Sequence, residues 1–193
     1  MKLVILDYGV GNIKSIQFAF DRLGVTAVLS SDAEEIKAAD KIIFPGVGEA
    51  SSAMKKLREA GLEDVITKLN QPVLGICLGM QLMCRKLEEG NTNGLGIFDV
   101  AVKRFSTSVK VPQMGWNTIT NLKSKLFEDI SDKEYMYLVH SYYVEENENT
   151  IATTDYEFPY ASAIQRDNFY GVQFHPEKSG KLGEKILLNF LNL

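Results

Sequence analysis

The chain has 193 residues, 45% of them hydrophobic and 24% charged, which fits one globular domain large enough to bury most of the surface its unfolded form exposes. A net charge of -4, with no basic run longer than a pair, lacks the clustered Lys and Arg that phosphate binding needs and argues against a nucleic-acid role. No stretch approaches the ~18 apolar residues of a membrane span, the opening MKLVILDYGV is too short and too polar at Asp7 for a signal peptide, and two cysteines do not make a disulfide scaffold; a cytoplasmic, soluble protein with free thiols is expected.

Taken in chain order, the first half alternates strand-like and helix-like segments. Leu3-Val4-Ile5-Leu6 is a continuous apolar run of the kind shown by a strand covered on both faces. From Asn12 to Leu23, residues Ile13, Ile16, Phe18, Ala19, Phe20 and Leu23 fall largely at helical spacing, and Gly24 stops the helix. Val25 to Leu29 reads as a second strand, Ser31-Asp32-Ala33-Glu34 as a capped helix start, and Lys41-Ile42-Ile43-Phe44 as a third strand. That strand ends in Pro45-Gly46-Val47-Gly48, whose glycines can bring backbone N–H groups close to a ligand, although Pro-Gly is also an ordinary turn signal. A helix is predicted from there to about Arg58, and Pro72 to Ile76 is another buried strand. Repeated βα units at this spacing predict a single α/β domain over residues 1–193, with an open, mostly parallel sheet and helices on both faces.

The strand at Pro72 runs directly into Gly75-Ile76-Cys77-Leu78-Gly79-Met80-Gln81 and then into a helix-forming stretch. This is the nucleophile-elbow pattern, with Cys in place of Ser. The flanking glycines leave room at a sharp strand-to-helix turn, and the sulfur sits at a helix N-terminus, where the dipole favours a thiolate. The Leu78 amide then points to where an oxyanion forms. A free Cys in an apolar run is ordinarily a buried structural residue; the paired glycines at a strand end favour the nucleophile here. Cys84, two turns along the presumed helix, lacks that setting and reads as core.

The second half reads mainly as short strands: Gly96 to Phe105, Trp116 to Thr120, Tyr135 to Val144, Ile151 to Asp155, Tyr160 to Gln165 and Phe169 to Phe174. An amphipathic helix from about Gly180 to Leu191 closes the chain, so this half is expected to carry a mixed sheet. Of the two histidines, His140 lies among Tyr137, Leu138, Val139, Tyr142 and Tyr143 and reads as structural or pocket-lining. His175 stands at the end of a strand, where functional groups collect in open α/β sheets. Pro176 forbids ordinary continuation, and Glu177 at i+2 falls on the same side of an extended segment. A carboxylate there can hold the imidazole in one tautomer while its other nitrogen faces the thiol. By itself, His-Pro-Glu also suits a solvated surface turn; with the cysteine elbow upstream, catalysis is favoured.

The segments Gly75–Gln81 and Gln173-Phe174-His175-Pro176-Glu177-Lys178-Ser179 resemble those of the triad (class I) glutamine amidotransferases. Within that family, Asp7 to Asn12, Pro45 to Gly48, Pro112-Gln113-Met114-Gly115-Trp116-Asn117 and Val139 to Tyr143 resemble, in order along the chain, segments of the glutaminase subunits of imidazole glycerol phosphate synthases. The resemblance implies a glutaminase that hydrolyses L-glutamine to glutamate and ammonia through a cysteine thioester. Cys77 attacks, His175 protonates the departing ammonia and Glu177 orients His175. Leu78 and the backbone of Gly46 and Val47 form the oxyanion hole, while Gly48, Gln81, Glu89, Ser141 and Tyr142 hold the glutamine. No metal or organic cofactor is implied. The implied partner is a (β/α)₈-barrel synthase subunit, which uses the ammonia to make imidazole glycerol phosphate and an aminoimidazole carboxamide ribotide in histidine biosynthesis. Asn12, Trp116 and Tyr137 are the candidate docking residues, with a core position for Trp116 as the alternative. Paralogues with the same triad supply ammonia for amidating bacterial surface sugars, and these motifs do not separate the two roles. Another cysteine hydrolase is disfavoured by the family segments. An inactive binding module is disfavoured by the presence of all three triad residues.

Overall fold

The apolar runs become the central strands. In the computed structural model, which describes residues 1–193, the chain forms β1 (Leu3–Leu6), α1 (Ile13–Arg22), β2 (Ala27–Ser30), α2 (Ala33–Lys37), β3 (Lys41–Phe44), α3 (Ala50–Glu59), α4 (Glu63–Ile66), β4 (Val73–Ile76) and α5 (Leu78–Leu82). There follow β5 (Cys84–Leu87), β6 (Thr92–Asn93), β7 (Phe98–Arg104), β8 (Gln113–Ile119), β9 (Glu134–His140), β10 (Tyr142–Val144), β11 (Thr150–Asp155), β12 (Pro159–Arg166), β13 (Phe169–Val172) and α6 (Gly180–Leu191). The main sheet runs β2-β1-β3-β4-β13-β12-β10-β7-β5-β6, with β11 paired to β12, and β8 and β9 form a separate antiparallel ribbon. Pairing is parallel from β2 through β13 and antiparallel where β12 and β10 join. The sheet is therefore mixed, as the change of pattern along the sequence predicts.

Alternation along β1 shows how the sheet divides the core. Val4 and Leu6 pack on one side with Ala53, Met54 and Leu57 of α3; Leu3 and Ile5 pack on the other with Phe20 of α1 and Phe190 of α6. A fully buried strand with helices on both faces reads as unbroken apolar sequence for this reason. A third, small cluster of Phe105, Tyr143 and Tyr160 lies apart. No helix is long and apolar enough to cross a membrane.

Three expectations are corrected. The helix after Cys77 ends at Leu82, and Cys84 opens β5 instead of continuing it; Cys84 is nonetheless buried, as read. The periodicity misleads there because a five-residue helix and a four-residue strand follow each other, each too short to set a period of its own. The segment Tyr135 to Val144 is two strands in different sheets, parted at Ser141. The one-turn α4, β5 and the edge strand β6 were unpredicted, being too short for a periodic signal.

Candidate active site

Register places the site. Phe44 pairs with Gly75, and Ile76 with Val172, so the carboxyl ends of β3, β4 and β13 lie side by side. Ligands bind at such strand ends in open α/β sheets. Cys77 follows β4 with φ 53° and ψ -110°, a backbone that only surrounding structure holds in a non-glycine residue. The glycines around it are required for space. A Cβ on Gly79 would collide with the Phe44 carbonyl, one on Gly46 would lie 2.6 Å from the Gly79 nitrogen, and one on Gly75 would lie 2.5 Å from Met83 Cε. The elbow therefore packs backbone on backbone against the end of β3. Cys77 Sγ lies 3.9 Å from the Val139 carbonyl and 3.6 Å from Gln173 Nε2.

His175 is held from three directions. Its amide donates to the Tyr137 carbonyl of β9 at 2.9 Å, its carbonyl accepts the Ser179 hydroxyl at 2.7 Å, and Nδ1 lies 2.9 Å from Glu177 Oε1. Nε2, the other ring nitrogen, is buried and finds no partner at hydrogen-bond distance, while Cys77 beside it favours the protonated ring both as a partner for its N–H and as a charge. Burial opposes the imidazolium, but Cys77 and Glu177 outweigh it and raise His175 to about 10. The arrangement can keep a charged imidazolium beside the Cys77 sulfur, with one N–H aimed away from its carboxylate partner.

Cys77 and His175 open into one cavity of about 300 Å³. It is also lined by Val47, Gly48, Leu78, Gln81, Glu89, Ser141 and Tyr142, so seven more of the residues singled out by sequence meet there. Gly46 lies behind Val47, packed on Leu78 and Gly79, and does not line the cavity. Tyr8 donates a 2.6 Å hydrogen bond to the Pro45 carbonyl and pins that segment. Leu78 is the first residue of α5, where helix amides have no intrahelical acceptor. Glu89 accepts the Ala50 amide at the start of α3 at 2.8 Å; burial, with Glu49 nearby, raises its carboxyl above the usual range. His140 lines the cavity and is also structural, its Nδ1 2.8 Å from the Tyr142 carbonyl and its Nε2 3.1 Å from the Tyr160 hydroxyl. Its ring faces no carboxylate within hydrogen-bond range, in keeping with the choice of His175 as the base.

Trp116 is 55% exposed, which removes the core alternative. Its ring meets Tyr137 edge-on at 6.1 Å, and Tyr137 lies 6.4 Å from the His175 ring. Asn12 is exposed at the head of α1 and makes no side-chain capping bond. These three residues lie outside the cavity. Lys178, Ser179 and Gln173 were missed from sequence. Lys178 lines the cavity, with its ammonium 5.9 Å from the centre of the Tyr137 ring, and Ser179 ties the His175 carbonyl to the Tyr137 amide. Gln173 could have been found, since in an extended segment it shares a side with His175.

The whole of residues 4–193 matches the family model described as glutamine amidotransferase class-I. The chain is 58% identical to the imidazole glycerol phosphate synthase subunit HisH of Bacteroides fragilis, with all of both chains covered. It is 47% identical to the subunit of the same name from Haemophilus influenzae, over 99% of this chain and 97% of that one. A structure described as a glutamine amidotransferase superposes with a TM-score of 0.77 at 18% identity, over 98% of this chain and 97% of the other. A glutamine amidotransferase from Thermotoga maritima gives 0.63 at 16% identity, over 100% and 83%. At that identity the two structures bear on the fold.

Proposed function

The chain belongs to the class-I glutamine amidotransferase family, and from that premise we propose that it is the glutaminase subunit of an imidazole glycerol phosphate synthase in histidine biosynthesis. It hydrolyses glutamine and passes the ammonia to a second subunit of the complex. Its full-length relatives favour this role over the surface-sugar alternative. The observation that carries the chemistry is Cys77 at φ 53° in one cavity with His175, whose Nδ1 is taken up by Glu177. In the proposed mechanism the Cys77 thiolate attacks the side-chain amide carbon of glutamine, and the oxygen takes up negative charge facing the Leu78 amide and the Gly46-Val47 backbone. His175, protonated, gives its Nε2 proton to the leaving nitrogen. Water then attacks the thioester carbon, giving up a proton to His175, and glutamate leaves as the thiolate is restored. Glu177 holds the imidazole in place throughout. Gly48, Gln81, Glu89, Ser141 and Tyr142 hold the substrate.

We further infer that the partner is a (β/α)₈-barrel subunit docking on the face that carries Asn12, Trp116 and Tyr137. The exposed aromatic edge of Trp116 supports this, since such residues anchor interfaces. The test uses the complex. Cys77→Ala is expected to lose ammonia release from glutamine, while synthase turnover with added ammonium salt persists. Glutaminase activity that survives in Cys77→Ala rejects the nucleophile.

A further inference from the structure

We propose that Gln173 is a further catalytic residue, donating a side-chain N–H to the sulfur of Cys77 in an orientation set by Gln81. The inference rests on the reading of Cys77 as nucleophile. Gln173 directly follows β13 and is fully buried, and the pairing of Val172 with Ile76 brings it beside Cys77. Its Nε2 lies 3.6 Å from Sγ, and its Oε1 lies 2.8 Å from Gln81 Nε2.

Which end of the amide faces the sulfur follows from a chain of hydrogen bonds that begins in the backbone. The Tyr142 carbonyl can only accept, so the Gln81 atom 3.1 Å from it is the nitrogen. The second hydrogen of that nitrogen points at Gln173, which therefore turns its oxygen to Gln81 and its N–H to Cys77. Reversing Gln173 would oppose two amide nitrogens at 2.8 Å and set a carbonyl oxygen against the sulfur. A donor aimed at sulfur favours thiolate over thiol, because hydrogen bonds to an ion are the stronger ones. Gln81 is fixed by the same chain. With both of its N–H groups directed to Tyr142 and Gln173, Gln81 offers the cavity its oxygen, an acceptor for an ammonium or amide N–H of the substrate and not a donor for its carboxylate.

The titratable groups around Cys77 are His175 and Glu177 beyond β13, Tyr8 beyond β1, Tyr160 on β12, and His140, Glu89 and Lys178 at the cavity wall. None changes in Gln173→Met, a near-isosteric replacement without the donor. The pH midpoint of iodoacetamide labelling of Cys77, read by mass spectrometry of its peptide, is expected to rise in this variant, with labelling at least about fivefold slower at a pH below the wild-type midpoint. At a pH that ionises the thiol in both proteins, the two rates should be equal. In the complex, kcat for the glutamine-dependent reaction should fall. Buried Cys84, its thiol pushed up by burial, does not compete. A labelling midpoint in a folded Gln173→Met equal to that of the wild type overturns the proposal. Glutaminase activity in Cys77→Ala would instead remove the nucleophile reading beneath it. The unsubstituted protein provides a second test that needs no change at position 173. The Gln173 side-chain amide protons, followed by NMR, should move downfield as Cys77 ionises, and an absence of that movement rejects the donor.

Discussion

His140 and His175 are separated by their surroundings into a neutral and a charged ring, the division of labour expected where titratable groups do different work. Burial lowers His140 to about 4, with the Tyr142 carbonyl opposing. The folded ring stays neutral where the unfolded one, near 6.5, binds a proton, so stability falls as pH drops from about 6.5 to about 4. The loss amounts to about 3 kcal/mol at the acid end. Urea unfolding at neutral and acid pH should show a smaller acid loss in His140→Gln than in the wild type. Equal losses would count against the burial argument. His175 shifts the other way, since the fold holds its proton up to about 10. Its favourable interaction is complete below 6.5 and fades as pH rises through about 10. Glutaminase activity should therefore fall on the alkaline side, and Glu177→Gln, which removes one group that raises His175, should move that fall to lower pH. His175→Asn is expected to cost nearly as much as loss of the cysteine, because the members of such a unit are not additive. An unmoved alkaline limb in Glu177→Gln rejects the orienting role.

At the scale of elements, the elbow depends on β3 and α5 touching backbone to backbone. A methyl at Gly79 cannot be accommodated by rotating a side chain, because it meets the Phe44 carbonyl. Gly79→Ala should cost about 3 kcal/mol, the upper end for overpacking, which lowers the melting temperature by roughly 6–12 °C in a chain of this size. Activity should fall further than stability, since Cys77 and the Pro45–Gly48 segment move together. A melting temperature within a degree or two of wild type rejects this account. The break at Ser141 matters in the same way. β9 belongs to the outer ribbon and supports His175 through Tyr137, whereas β10 belongs to the main sheet and orients Gln81 through Tyr142. One continuous strand could not do both.

For the whole molecule, an isolated glutaminase would hydrolyse glutamine without using the ammonia, so coupling to the second subunit is expected. One missing oxyanion donor costs about 10²–10³ in rate. The isolated chain should be stimulated by at least that factor when the partner is added with its own substrate bound, and full activity without a partner removes the coupling hypothesis. Trp116→Ala should weaken association at least about tenfold, as an interface anchor does, and leave the melting temperature of the free chain unchanged. Undiminished affinity would place the interface elsewhere.

Local order in the chain was enough for β1, β3, β4, α1, α3 and α6, and for singling out Cys77, His175 and Glu177, which the fold brings together. Apolar runs, helical spacing, Gly-x-Cys-x-Gly and His-Pro-Glu are all relations between near neighbours. The same order left Trp116 undecided between core and surface, ran the helix after Cys77 too far, and merged β9 with β10; α5, β5 and β10, of three to five residues, are too short to set a period of their own. Gln173 and Cys77 stand 96 positions apart, and Gln81 and Tyr142 stand 61 apart. Which of their atoms meet depends on the register of β4 with β13 and on the crossing of two sheets. Chain order carries no local trace of either, so the cysteine elbow was legible in the sequence, and which amide atom lies beside its sulfur emerged only from the packed sheet.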